Sequence, residues 1–106
     1  MNKKYIICKS EEFKKILYDS KSNKSKYFII RYKSNNHNYN RYGISVGKKI
    51  GNAVVRNKNK RRIKDILSKN MVNYSKDYVI IVRKEILDLS YQEIKDELLK
   101  QVEEIN

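Results

Sequence analysis

The sequence predicts an α+β fold, a single-domain sandwich of helices packed on a sheet, with the element order α-β-β-(β)-α-β-α. Three segments place apolar residues at helical spacing, and three others are β-branched and aromatic or alternate in polarity. The 106 residues, of which 40% are hydrophobic, can bury one modest core but not two. We therefore expect one domain over residues 1–106, and the parentheses mark an optional short strand near Lys48–Ile50.

The first predicted element is a short amphipathic helix. Ser10 is a residue type that favours an N-cap, and the two glutamates after it suit the positive end of the helix dipole. Phe13, Ile16 and Leu17 follow at positions i, i+3 and i+4, which makes one apolar stripe. The polar segment Ser20–Lys26 has no periodicity and is predicted to be a loop.

Two strands are predicted next, joined by an Asn-rich connection. Tyr27–Lys33 is β-branched and aromatic, and Arg41–Gly47 alternates along its whole length. One face of the second strand would carry Tyr42, Ile44 and Val46, and the other Gly43, Ser45 and Gly47. A sheet face of such small residues lets a large, flat group approach the backbone closely.

A long helix, a buried strand and a final helix complete the predicted fold. The long helix spans about residues 53–70, and Asn59 interrupts its apolar stripe. Asp77–Arg83 is almost continuously apolar, which is typical of a strand covered on both faces. The last helix, over residues 90–105, begins after Ser90 with a Ser-x-x-Glu capping box.

The charge of the chain is strongly positive and unevenly distributed. Twenty-five Lys and Arg against 12 Asp and Glu give a net charge of +13, which indicates a polyanionic partner because phosphates relieve the self-repulsion. The composition is biased toward Lys and Asn, so the distribution is more informative than the total. Residues 1–84 carry 23 basic and 5 acidic side chains, whereas residues 85–106 carry 2 and 7. For the acidic last helix we favour a solvated outer surface over a partner-binding patch.

The sequence also argues against several function classes. We expect no membrane-spanning segment, since no apolar run approaches roughly 20 residues, and no secretory signal. Cys8 is the only cysteine, which excludes an internal disulfide and a thiolate zinc cage. His37 is the only histidine, and no glycine-rich phosphate loop is present. We predict no catalytic residue, no metal ligand and no cofactor on the protein itself.

The strongest functional signal is a block of eight basic side chains within seventeen residues that contain no acid. The block consists of Lys48, Lys49, Arg56, Lys58, Lys60, Arg61, Arg62 and Lys64. Neighbouring like charges on a helix repel by on the order of a few tenths of a kcal/mol per pair, a penalty that bound phosphates would remove. Asn57 adds a donor and an acceptor suited to bases or 2′-hydroxyls. A plain solvated charge run is the alternative.

The segment Arg41–Lys64 resembles the bacterial ribonuclease P protein component. The hallmark of that family is an Arg-Asn-Arg helix after a Gly-x-Ser-Val-x-Lys-Lys strand end, which this chain matches except that Lys58 and Lys64 stand where Arg is usual. The resemblance continues in Glu12–Lys15 and Tyr78–Lys84. It implies a mixed sheet with a left-handed βαβ crossover, as in the second domain of ribosomal protein S5.

The resemblance also implies a function. Such a protein is the accessory subunit of a cytoplasmic ribonucleoprotein endoribonuclease that removes the 5′ leader of precursor tRNA. Its RNA subunit carries the chemistry with Mg²⁺ ions that the RNA holds. The partners would be the ribonuclease P catalytic RNA and the leader, with no DNA and no membrane.

Two sets of binding residues follow from the same resemblance. The residues expected on the catalytic RNA are Arg56, Asn57, Lys58, Lys60, Arg61 and Lys64. The residues expected on the leader are Phe13 and Leu17 for bases and Lys48, Lys49, Arg83 and Lys84 for phosphates. Phe13 could equally be a core residue, and without the resemblance the core interpretation is the favoured one.

Two alternative functions use the same charges. One is a non-enzymatic RNA-binding module, such as a small ribosomal or assembly protein. The other is a DNA-binding regulator that places the long helix in a groove, which we disfavour because no helix-turn-helix partner immediately precedes that helix.

Overall fold

The computed structural model describes residues 1–106 as three α-helices, four strands and three 3₁₀ turns. The helices and strands are α1 (Ser10–Tyr18), β1 (Lys21–Lys24), β2 (Phe28–Ser34), β3 (Arg41–Ser45), α2 (Ala53–Lys69), β4 (Lys76–Val82) and α3 (Tyr91–Ile105). The 3₁₀ turns are Lys3–Tyr5, Lys48–Ile50 and Lys84–Asp88.

The four strands form one mixed sheet in the order β1-β2-β4-β3. β2 pairs with β1 and β4 in antiparallel fashion, whereas β3 pairs with β4 in parallel, with Tyr42 opposite Tyr78. β3 and β4 are therefore parallel neighbours joined through α2, as the resemblance implies. The predicted α+β sandwich with a mixed sheet is confirmed.

The main core lies between the sheet and the pair α2 and α3. Alternate side chains of the strands meet the apolar stripes of the two helices there, because successive strand residues point to opposite faces. Its most buried members include Phe28, Ile30, Tyr78, Ile80, Ile63, Ile66, Ile94 and Leu98.

A smaller core lies on the opposite face of the sheet, which we call the α1 face. Ile16 of α1 packs there with Ile7 and Val79, and Phe13 and Ile81 pack partly against them. Because β4 sends Tyr78 and Val79 into different cores, it is buried on both faces, as its continuous apolar sequence predicted.

Helix caps hold the two helices of the main core. The Asn52 Oδ1 accepts a hydrogen bond from Val55 N at 3.0 Å and caps α2. In α3, the predicted capping box between Ser90 and Glu93 is present in both directions.

The predicted interruption of the apolar stripe of α2 is also present. Asn59 is 5% exposed, and its amide nitrogen donates to the Val55 carbonyl within the same helix.

Three local predictions are wrong. The loop predicted over Ser20–Lys26 contains β1, an edge strand whose polar side chains show no apolar alternation because only one residue of it is even half-buried. The optional strand near Lys48–Ile50 is a 3₁₀ turn, which leads into Gly51 at φ 156°, a backbone conformation that favours glycine. Ser10 does not cap α1, because the helix begins at that residue and Lys9 precedes it without a capping side chain.

Arg41 forms two ion pairs, a largely buried one with Asp77 between β3 and β4 and a more exposed one with Glu12 that links α1 to the sheet. Arg41 at the start of β3 donates from Nε and Nη2 to the two carboxylate oxygens of Asp77, at 2.9 and 2.7 Å, and from Nη1 to Glu12 of α1 at 3.2 Å. Burial alone would raise the pKa of Asp77, but hydrogen bonds from Arg41 and Asn35 and the charge of Arg41 lower it below its usual value.

No helix has the length and apolar character needed to span a membrane.

Candidate nucleic-acid interface

Part of the α1 face is an open groove. α1 covers the end of the sheet near Arg41, and beyond it a groove of about 720 Å³ has Ile29, Ser45 and Ile81 among its floor residues. At Gly47 nothing lies within 4 Å of where a Cβ would stand, so this part of the strand end is unobstructed. The small residues predicted to allow close approach therefore do leave the backbone accessible at this end.

Four of the predicted leader residues line this one groove. Lys48 and Lys49 come from the 3₁₀ turn after β3, and Arg83 and Lys84 come from the end of β4. Arg83 is held by a hydrogen bond from Nη1 to the Ser25 carbonyl at 3.1 Å. None of the four forms an ion pair within the chain, and the groove is lined by only one carboxylate, that of Glu85, so its charge is positive in excess.

Phe13 lies beside the groove, in a cavity that adjoins it. Its ring covers Gly43 so closely that a Cβ there would stand 2.6 Å from Phe13 Cζ. The ring also lines an adjoining cavity of about 430 Å³, which shares Ser45 with the groove. Phe13 is half-buried: it packs on the small core and also lines the cavity, so the core interpretation describes part of its position, and contact with the leader stays a prediction.

Leu17 lies one turn further along α1. Its side chain is 40% exposed, and it lines neither the groove nor the adjoining cavity. Its carbonyl accepts a hydrogen bond from Arg31 of β2, on the side of α1 toward the strands β1 and β2. The structure therefore does not bring Leu17 together with the other predicted leader residues.

The basic side chains of α2 lie mainly on one side of the helix. At 3.6 residues per turn, five of the six predicted residues fall within an arc of about 140°, which we call the basic arc. Its members are Arg56, Asn57, Lys60, Arg61 and Lys64. Lys58 lies outside the arc, on the flank it shares with Arg62.

No acidic side chain neutralises the basic arc. None of the eight residues of the basic block forms an ion pair or donates a side-chain hydrogen bond, and Asp65 on the same helix pairs with Lys69 instead. Unpaired donors on a fixed helix are what a sugar–phosphate backbone would bind.

The groove floor contains residues that the sequence analysis missed. Ile29 and Ile81 lie on the α1 face because each is one residue away from a side chain of the main core. Strand alternation could have identified them, had the extent of α1 over the sheet been known. No three His, Cys, Asp or Glu side chains come together in a way that could hold a metal ion.

Comparison with known proteins agrees with the geometry. The family model described as Ribonuclease P matches residues 1–106. The chain belongs to this family. It is 49% identical to the ribonuclease P protein component of Mycoplasma mycoides over 99% of both chains. The resemblance noted from the basic helix is thus confirmed.

Solved structures match over most of the chain. The RNase P protein of Staphylococcus aureus superposes with a TM-score of 0.86 at 32% identity, covering 96% of this chain and 95% of that one. The RNase P protein of Thermotoga maritima gives a TM-score of 0.78 at 30% identity, covering 84% and 86%. Membership of the family makes this chain the protein component of a ribonuclease complex that acts in tRNA processing.

Proposed function

We propose that the chain helps to remove the 5′ leader of precursor tRNA by binding two RNAs at once. The basic arc of α2 binds the catalytic RNA, and the groove holds the leader. The observation that carries this proposal is the absence of any ion pair at the eight basic residues of the block, in a member of this family. Their charge is left for a partner outside the chain.

The catalytic RNA is assigned to α2 because the helix is rigid and its charge is continuous. Ile63, Ile66 and Leu67 anchor α2 in the main core, so the basic arc keeps a fixed position relative to the sheet. A fixed row of donors loses little conformational entropy when it binds a structured RNA surface. Lys58, outside the basic arc, contributes less in this arrangement.

The leader is assigned to the groove because the groove combines small residues, cations and one ring. The phosphates of the leader would contact four cations, with Lys48 and Lys49 on one side of the groove and Arg83 and Lys84 on the other. Phe13, in the cavity that adjoins the groove, offers a ring for a leader base, and stacking of this kind tolerates any sequence. Leu17, which lies outside the groove, would contact only a leader that bends over α1.

Bond cleavage is assigned to the RNA. The four cations of the groove disfavour a metal ion bound by the protein there, because like charges repel. Mg²⁺ held by the RNA would activate water and stabilise the leaving oxygen. The chain's own residues then hold and orient the two RNAs.

The test is cleavage of precursor tRNA by a bacterial ribonuclease P RNA at low magnesium, with and without the protein. Stimulated cleavage at the mature 5′ end supports the proposal. RNA binding without stimulation supports instead a non-enzymatic RNA-binding module. Cleavage by the protein alone contradicts the assignment of chemistry to the RNA.

Paired variants test the two surfaces. Arg56→Ala with Lys60→Ala should weaken binding to the catalytic RNA and lower its salt slope by about 1–2. Lys95→Ala with Lys100→Ala removes two lysines from α3 and should change neither quantity. An unchanged salt slope for Arg56→Ala with Lys60→Ala rules out phosphate contact by the basic arc.

The groove is tested by Lys49→Ala with Arg83→Ala. This variant should weaken binding of the holoenzyme to precursor tRNA that carries a leader and leave its binding of mature tRNA unaffected.

A further inference from the structure

A cluster of rings and one lysine lies at the end of the sheet opposite to the groove. We call it the aromatic cluster: Lys4, Tyr5, His37 and Tyr39. The His37 and Tyr39 rings are stacked with their centroids 5.0 Å apart, and Tyr5 meets Tyr39 edge-on at 5.4 Å. Lys4 Nζ lies 5.0 Å from the Tyr5 ring centroid and 5.1 Å from that of Tyr39.

Core packing does not account for these rings. None of them belongs to either apolar core, and His37 is exposed. The Tyr5 and Tyr39 hydroxyls and the His37 ring nitrogens make no hydrogen bond within the chain. Tyr39 is the only ring that stacks on His37, and His37 is otherwise exposed, so a planar ligand can approach the imidazole.

The loop that carries His37 and Tyr39 is fixed in place. The Asn35 side chain accepts from His37 N at 2.9 Å and donates to the Tyr39 carbonyl at 3.2 Å and to Asp77 Oδ1 at 2.9 Å. The Asn73 amide also donates to the Asn38 carbonyl. The rings are therefore held before any ligand arrives, which lowers the entropic cost of binding one.

The C-terminal half of the basic arc lies at the same end of the sheet as this cluster. α2 connects two parallel neighbouring strands, so it runs antiparallel to them and its C-terminal half lies near the start of β3. Lys60 and Lys64 line a cavity of about 150 Å³ together with Met1 and Ile6, and Ile6 directly follows Tyr5 in the chain. An RNA backbone that follows the basic arc toward the C-terminus of α2 would reach the aromatic cluster.

We propose that the aromatic cluster stacks an unpaired nucleobase of the catalytic RNA, whose backbone lies along the basic arc. This rests on the proposed function. A nucleobase fits the chemistry because it has a planar face that can stack on His37 and a phosphate for Lys4, which has no ion pair. The leader is not the occupant, since the groove lies at the opposite end of the sheet.

The test compares aromatic variants in binding to an in vitro transcribed bacterial ribonuclease P RNA over a range of salt. Tyr39→Leu keeps an apolar side chain but removes the stacked ring, and His37→Ala removes the exposed ring. Tyr39→Phe keeps the ring. The control is Tyr18→Leu, which removes a tyrosine that is 92% exposed on α1.

We expect Tyr39→Leu and His37→Ala each to raise Kd about fivefold or more, with the salt slope unchanged because no charge contact is lost. Tyr39→Phe and Tyr18→Leu should stay within about twofold of the parent. His37→Ala alone decides the matter if Tyr39→Leu fails to fold, since His37 is exposed.

Other outcomes overturn the proposal. In the first, His37→Ala and Tyr39→Leu bind the catalytic RNA as tightly as the parent, whereas Arg56→Ala with Lys60→Ala binds it more weakly. The proposed function then stands, but without the stacking site. Another is a loss confined to binding of precursor tRNA by the assembled holoenzyme. If the Arg56 and Lys60 variant also binds normally, the proposed function itself fails.

Discussion

One face of the sheet is closed by two helices, whereas the other is covered by α1 over only part of its length. The closed face buries apolar side chains of α2 and α3, such as Ile63 and Leu98. The α1 face has a much smaller core and leaves Ser45 and Gly47 open beside four unpaired cations. The stability of the fold thus comes mainly from one face, which leaves the other free to keep uncompensated charge.

The largest expected effect tests that division directly. Ile63→Ala should lower the free energy of unfolding by about 2–5 kcal/mol, because it leaves a cavity in the main core. Ile81→Ala, on the groove floor, should cost less than about 2 kcal/mol since that side chain is only half-buried. Urea denaturation measures both values. Equal losses would show that the two faces share the stability evenly.

The ion pair beside α1 sharpens the comparison through its pH dependence. The pKa of Asp77 is lowered in the folded state, so its ionised form stabilises the fold at neutral pH, and this contribution is lost as the pH falls from about 5 through the folded-state pKa. Asp77→Asn should cost about 1–3 kcal/mol at pH 7 and flatten the acid side of the stability curve.

The measurement is the free energy of unfolding between pH 7 and pH 3. Asp88→Asn is the matched control, because Asp88 is exposed and forms no ion pair. A parent curve that runs parallel to that of Asp77→Asn would mean that this carboxylate does not govern the acid response.

Two glycines separate the covered and open parts of the α1 face. A methyl group at Gly43 would overlap Phe13, so Gly43→Ala should cost about 1–3 kcal/mol or displace the ring, whereas Gly47→Ala meets no atom and should cost under about 0.5 kcal/mol. Thermal unfolding measures both variants. Similar melting temperatures together with unchanged leader binding would contradict the position of Phe13.

The smallest expected change in stability comes from serines at the N-termini of the helices on the two faces. Ser90→Ala removes the capping box of α3 and should cost about 1 kcal/mol. Ser10→Ala should change stability by less than about 0.5 kcal/mol, because Ser10 lies inside α1 and caps nothing. Chemical denaturation of the two variants side by side checks this, and a larger loss at Ser10 would reverse the assignment.

Local sequence patterns predicted the parts of the fold that depend on burial. The continuous apolar sequence of β4 and the stripes of α2 and α3 identified the elements of the main core. β1 was missed because an edge strand takes its stability from backbone pairing with β2, which polar side chains do not reveal. The 3₁₀ turn at Lys48–Ile50 was missed because the conformation of so short a segment depends on the relative positions of the elements it connects, here β3 and α2.

The candidate interface was predictable in its charges but not in its shape. The block of basic residues, and the place of six of them on α2, followed from spacing alone. That Phe13 covers Gly43, that Leu17 lies apart, and that His37 stacks on Tyr39 all depend on contacts between distant segments. No single-sequence pattern encodes such contacts.

The position of β4 between β2 and β3 has a consequence for synthesis. A ribosome finishes β2 and β3 before it makes the strand that joins them, so no sheet larger than the β1–β2 hairpin can assemble until residue 82 has emerged. Until then the nascent chain is a strongly cationic, incompletely folded polymer. An RNA that binds only the finished protein would pull this late step toward completion by mass action, so that maturation of the polypeptide and assembly with its nucleic acid become linked events.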